Sequence, residues 1–347
     1  MKRKKRVTSH DVARLAGVSR TTVSLVLNNA PNAHISSETR RRVLEAARQL
    51  NYYPNAVARS LVSQRTMTLG LVLCQTPEQV FADPFLPQVL LGVNTVAQAR
   101  GYRILLETIS EDQEDGYSTL AREKRIDGFI LSGPRSNDKA LRDLHAEGFP
   151  IVLLGQLRDV DIPFVDVDNE AAAYTAVEHL IRLGHTRIAM ITNGPLVYTA
   201  SQDRLAGYRR ALETYGLPYD PTLVAEGAFR EESGQAAMER ILGVLPRPTA
   251  VFAASDAIAL GAMVTLRRHG LRIPHDMALV GFDDIPLAAY VDPPLTTVRL
   301  PAYELGREAA ELLMDIVEEK ATEEKRKLLE TTLIVRASCG AQQTERR

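Results

Sequence analysis

Arg20, Thr21, Ser24 and Leu25 fall on one side of a short helical pattern over Arg20–Leu27, with Val23, Val26 and Leu27 on the other. A guanidinium, two hydroxyls and an isobutyl group on one face are tools for meeting the edges of bases. Arg20 can donate a bidentate pair to guanine O6 and N7, Thr21 can bond either way, and Leu25 offers apolar contact, for instance to a thymine methyl. Thr22, Ser24, Asn28, Tyr52 and Asn55 are short or rigid donors suited to phosphate oxygens, which set register without reading sequence. Charge points the same way. The first 65 residues carry thirteen Lys+Arg against three Asp+Glu, and the remainder 29 against 40, although the whole chain sums to −1. A cationic head on an anionic body is the footprint of a polyanion-binding module joined to something with another task.

The elements that must position these groups are three short helices. Thr8 with Asp11 three residues on resembles a capping box. Val12, Ala13, Leu15 and Ala16 supply the apolar face of the first helix, and Gly17 stops it. Ser19 caps the second helix. A third starts at Ser36, and Val43, Leu44, Ala47 and Leu50 close a small core. Helix, glycine-containing turn and short second helix make a helix-turn-helix, whose second helix enters the major groove.

Beyond a polar linker, apolar strands alternate with amphipathic helices from Leu69 to Gly281. That pattern means parallel sheets covered on both faces. The fold class read here is α/β: an all-α helix-turn-helix domain at 1–53, a hinge helix and linker at 54–65, then two doubly wound parallel lobes of periplasmic-binding-protein-like type at 66–340. Ligands in such sheets bind at the carboxyl ends of strands. The polar residues in those loops are Gln75, Ser132, Gln156, Asn193, Ser255, Asp256, Asp283 and Asp284.

The stretches Val7–Ser19, Thr22–Asn28 and Leu50–Leu61 resemble the N-terminal signature of the LacI/GalR family of bacterial transcription regulators. The resemblance implies base reading by Arg20, Thr21 and Leu25. It also implies a hinge helix over Pro54–Leu61 that pairs with its twin in the minor groove, with Arg59 among the DNA contacts and Leu61 as the wedge between central base pairs. In the body it adds Arg204, Phe229 and Asp283 to the effector site, and Asp83-Pro84-Phe85 is similar to a family loop that would bring in Phe85. It implies three crossings between lobes, near Val165–Asn169, Thr296–Leu300 and Ala321–Lys325. Lobe one then spans about 66–167 and 299–322, with helix Ala302–Glu318. Lobe two spans about 168–298 and 325–340, with the last strand, Leu328–Val335.

The implied partners are a palindromic double-stranded operator, a small-molecule effector of carbohydrate type and a second copy of the chain. A solute-binding protein of a transporter, a corepressor-type regulator sensing a nucleobase or sugar phosphate, and an enzyme on the same fold are the alternatives. The helix-turn-helix speaks against a solute-binding protein. No phosphate-binding loop, dinucleotide fingerprint, zinc spacing or nucleophile elbow is present, so no cofactor or metal is expected. The basic N-terminus is followed by no apolar segment, no apolar run spans a membrane, and Cys74 and Cys339 stand alone, which reads as a reducing cytoplasm.

Overall fold

The computed structural model describes residues 7–27, 34–53, 65–109, 116–320 and 325–341. They form two compact units, Met1–Thr66 and Met67–Arg347.

The first unit has helices α1 (Ser9–Ala16), α2 (Arg20–Leu27) and α3 (Ser37–Gln49). The Asp11 carboxylate accepts from Thr8 N at 3.0 Å and from its hydroxyl at 2.7 Å, fixing the start of α1. Gly17 takes φ 65°, ψ 41°, and the next amide, Val18 N, returns to the Ala13 carbonyl at 3.0 Å. This left-handed stop turns the chain sharply into α2, where Ser19 Oγ accepts from Thr22 N at 3.1 Å. Val12, Ala13, Ala16, Val23, Val26, Val43, Ala46 and Ala47 form the core. Leu15 and Leu44, expected inside, are 52% and 39% exposed. Each sits a residue off its helix's buried stripe, and on so narrow a helix one position turns a side chain out to water.

The second unit holds two six-stranded sheets. Strands β1 (Thr68–Leu73), β2 (Arg103–Thr108), β3 (Gly128–Ser132), β4 (Ile151–Leu154) and β5 (Phe164–Val167) belong to sheet one; β6 (Ile188–Ile191), β7 (Val224–Ala225), β8 (Ala250–Ala253), β9 (Ala278–Asp283) and β10 (Thr296–Arg299) to sheet two. The last two, β11 (Arg326–Leu329) and β12 (Thr332–Ile334), divide between them. Sheet one runs β11-β5-β4-β3-β1-β2, all parallel; sheet two runs β12-β10-β9-β8-β6-β7 with only β12 antiparallel.

This corrects the expected end of the chain. The third crossing is not at Ala321–Lys325, and the terminal strand is not wholly in lobe two. β11 pairs with β5, Leu328 opposite Asp166, and so lies in lobe one; β12 pairs with β10, Ile334 opposite Thr297. The chain crosses at Glu330–Thr331, and residues 321–324 lie outside the described residues. One extended segment covers an edge of each sheet, which gives two rows of edge amides and carbonyls partners at once. The stretches at Val165–Asn169 and Thr296–Leu300, read only as crossings, carry strands β5 and β10.

The helices are α4 (Pro77–Ala82), α5 (Leu86–Ala99), α6 (Gly116–Arg122), α7 (Lys139–Ala146), α8 (Asn169–Arg182), α9 (Thr199–Thr214), α10 (Glu231–Leu242), α11 (Asp256–Arg268) and α12 (Ala302–Val317). α4 was unexpected; Thr76 and Gln79 cap it reciprocally. Three helix pairs approach backbone to backbone. A Cβ on Gly92 would stand 2.1 Å from the Tyr303 carbonyl oxygen, one on Gly306 2.1 Å from that of Val89, one on Gly207 2.1 Å from that of Glu170, and one on Gly261 2.0 Å from that of Glu231. Glycine at these points lets α5 meet α12, α8 meet α9 and α10 meet α11 with nothing between. No described helix is long and apolar enough to cross a membrane.

Candidate nucleic-acid interface and ligand cleft

On the head, the buried Val23 and Val26 turn the opposite side of α2 outward. Arg20, Thr21 and Ser24 are exposed, and Thr22 and Leu25 are half-buried. The Thr22 hydroxyl lies 2.9 Å from Ser19 Oγ, within the cap. Tyr52 is half-buried against the small core, and its amide closes α3 on the Ala47 carbonyl at 2.8 Å. Asn28, Asn55, Arg59 and Leu61 lie outside the described residues.

In the body, the carboxyl ends of both sheets face one cleft with a void volume of about 1050 Å³, its open mouth included. Gln75 leaves β1 and Phe85 precedes α5 on one wall; Ser255, Asp283, Arg204 and Phe229 stand on the other. The structure therefore brings six of the seven expected effector residues to one cavity. Asp256 is the exception. It is fully buried, with its carboxylate accepting from Thr297 Oγ1 at 2.6 Å and Ile285 N at 2.9 Å, and it braces the β9–β10 edge from behind. Burial pushes it up to about 7, opposed by those two hydrogen bonds. Ser255 lines the cleft and also caps α11 through Ile258 N at 3.3 Å.

Arg204 is the centre of the cleft. Its Nε donates to Asn169 Oδ1 at 2.9 Å and Nη1 to the Ala254 carbonyl at 2.6 Å, and its guanidinium carbon sits 3.8 Å from the centre of the Phe282 ring. Nη1 is 3.9 Å from Asp283 Oδ1, a loose ion pair. Burial pulls the guanidinium below its ordinary value, against the pull of Asp283 and the other nearby carboxylates. Burial raises the Asp283 carboxyl well above its usual range; Arg204 opposes this, and the Asp256 and Asp83 carboxylates reinforce it.

Phe229 is half-buried at φ 64°, anchored by its amide to the Asn193 carbonyl at 2.8 Å. Its ring lies where a Cβ on Gly194 would come within 2.2 Å, so the glycine makes room for it. The Tyr198 ring meets it edge-on at 4.9 Å and 86°. Tyr198 OH then donates across to the Cys74 carbonyl of lobe one at 2.5 Å. Cys74 and Cys339 are both buried.

Three cleft residues went unread in the sequence. Tyr198 gave no signal beyond preceding a helix. Asp83 was noticed only as the start of Asp83-Pro84-Phe85, yet it lines the cleft and its Oδ1 holds Phe85 N at 2.9 Å. Asp166 is the penultimate residue of β5, a strand that reads in the sequence as a crossing between lobes. Asp166 accepts from Gln156 Nε2 at 3.0 Å and Asn169 Nδ2 at 3.2 Å. Burial pushes both Asp83 and Asp166 up to about 6. Asp168 caps α8 through Ala171 N at 2.9 Å, while its neighbour Asn169 lines the cleft. Asp284 turns away to Arg299 and Arg336, 2.7 Å from each.

A guanidinium, carboxyl groups and an aromatic face around one void suit a ligand rich in hydroxyls with at least one apolar face.

Known proteins agree with both halves. A family described as bacterial regulatory proteins, lacI family, matches residues 8–55, and a periplasmic binding protein-like domain matches residues 177–339. The HTH-type transcriptional regulator CelR of Thermobifida fusca is 41% identical over 345 residues, 97% of this chain and 100% of that one. A solved transcriptional regulator CelR–cellobiose complex superposes with TM-score 0.74 at 38% identity, covering 96% of this chain and all of that one. The lac repressor dimer bound to operator and the anti-inducer ONPF gives TM-score 0.84 at 29% identity, over 96% of this chain and 99% of that one. The chain therefore belongs to the lacI family of bacterial regulatory proteins and is a DNA-binding transcriptional regulator.

Proposed function

We propose that the chain is a cytoplasmic repressor that binds a palindromic operator as a homodimer and releases it when a sugar occupies the cleft. It acts by linked binding equilibria and turns over no substrate. The observation that carries this reading is the cleft's construction: one cavity is walled by Phe85 and Gln75 of lobe one and by Arg204, Phe229 and Asp283 of lobe two. A ligand touching both lobes favours one lobe angle over another, and that difference in affinity is the free energy available to shift the DNA equilibrium. Cellobiose is the first candidate, being the ligand named for the CelR complex. Arg20, Thr21 and Leu25 read bases; Thr22, Ser24, Asn28, Tyr52, Asn55 and Arg59 hold phosphates; Leu61 wedges the minor groove.

The test is fluorescence anisotropy of full-length protein on palindromic duplexes. Affinity should fall steeply with salt. Saturating effector should weaken the specific complex about 5- to 150-fold, the ordinary range of allosteric coupling. An operator affinity indifferent to every sugar tried would remove the inducer reading. Two variants refine the DNA side. Arg20→Ala should lose about 1–3 kcal/mol on the preferred operator and relax discrimination at one base pair. Leu61→Ala should weaken specific binding far more than nonspecific binding; equal losses would rule out the wedge.

A further inference from the structure

The charge of the cleft is lopsided. Among the described residues that line it, Arg204 is the single cation, while Asp83, Asp166 and Asp283 are three carboxyl groups. Arg204 is already engaged by Asn169, the Ala254 carbonyl and the Phe282 ring. Burial raises Asp83 and Asp166 only to about 6, so at pH 7.5 both are mostly ionised, and together they outweigh the guanidinium before Asp283 is counted.

Helix starts are the other ready anion sites in a fold of this type. Here one amide of each of four such starts is taken from within. Asp83 Oδ1 holds the Phe85 amide at the entry to α5, Asp168 caps α8, and Ser255 caps α11. At α9 the Thr199 amide donates to the Pro134 carbonyl at 3.2 Å. A phosphate entering the cleft would meet no uncommitted cation among the described lining residues. A hydroxyl-rich neutral ligand would meet carboxyl oxygens and the Phe229 ring.

We infer that the cleft selects an uncharged polyol or glycoside and rejects its phosphate ester, with Asp83 of lobe one as a specificity-determining residue. This rests on the effector reading above. It makes the protein a sensor of the unphosphorylated compound.

The experiment is isothermal titration of the full-length chain with cellobiose, maltose, glucose, cytidine and adenosine, each beside its phosphate monoester at matched ionic strength. The expected result is that a neutral member binds and its ester binds about fiftyfold more weakly, the scale of a like-charge juxtaposition. An ester that binds as tightly as its parent, or more tightly, overturns the inference and leaves the effector reading standing. Binding by no member of either class counts against the effector reading itself, and the inference falls with it. Asp83→Asn keeps an oxygen for the Phe85 amide and removes the charge. In that variant the neutral-to-ester ratio should narrow about tenfold. A ratio equal to that of the parent chain, in a variant that still melts cooperatively, would take the role away from Asp83.

Discussion

Arg204→Ala will abolish the effector response and leave a body that is markedly less stable at neutral pH. The guanidinium is the only cation beside Asp283 and Asp166 in the cleft lining described here, and removing one partner from a buried charged group costs about 3–5 kcal/mol. The pH dependence gives the loss a signature. Without Arg204, both carboxyls are raised further above their unfolded values. A carboxyl whose folded pKa is raised costs stability at pH above that value and recovers it as pH falls through it. The variant's deficit in urea unfolding should therefore be large at pH 8 and shrink by pH 5.5. A deficit that stays constant across that range would mean that packing against Phe282, not charge, is what Arg204 supplies. Arg204→Lys should also fail to respond to effector, because an ammonium lacks the fork that spans Asn169 and the Ala254 carbonyl.

Gly306→Val will lower the stability of the body by about 3 kcal/mol or more, or roughly 10 °C in melting temperature. The clash is with the Val89 carbonyl oxygen, at 2.1 Å from the first added carbon, and a backbone atom within α5 cannot swing aside. Gly101→Ala is the contrast. Gly101 has φ 74° and open space around its missing Cβ, so the change should cost only the left-handed strain, about 1 kcal/mol. Differential scanning calorimetry of the two variants separates these cases. Equal losses would show that helix-to-helix distance is not set by glycine here.

Much of this was legible in the chain. The Gly17 stop, the Ser19 and Ser36 caps and the spacing of Val23 and Val26 are local rules, and they placed α1, α2 and α3 to within a residue. Buried parallel strands such as β1 announce themselves as unbroken apolar runs. Arg204 and Phe229 came through resemblance, since nothing local about a guanidinium on α9 says that it turns inward; Asp283 was also marked by its place at a strand end. Non-local pairing was the weak point. Whether Arg326–Leu329 joins β5 or stays with β12 depends on which sheet edge is vacant, and no window of sequence carries that. The fate of Asp256 was lost for a related reason: position at a strand end brings a residue near the cleft, but Thr297 and the Ile285 amide, far along the chain, decide which way its carboxylate points.

The glycine contacts between helices have a last consequence. A helix that touches its neighbour's backbone cannot slide along it without driving carbonyl into carbonyl. These contacts resist sliding of the paired helices within each lobe. Whatever motion carries news of a bound molecule out of the body has only three short straps in which to occur: Val167–Asn169, Arg299–Pro301 and Leu329–Thr332. Mutations that stiffen any one strap should change how far and how fast the two lobes move relative to each other.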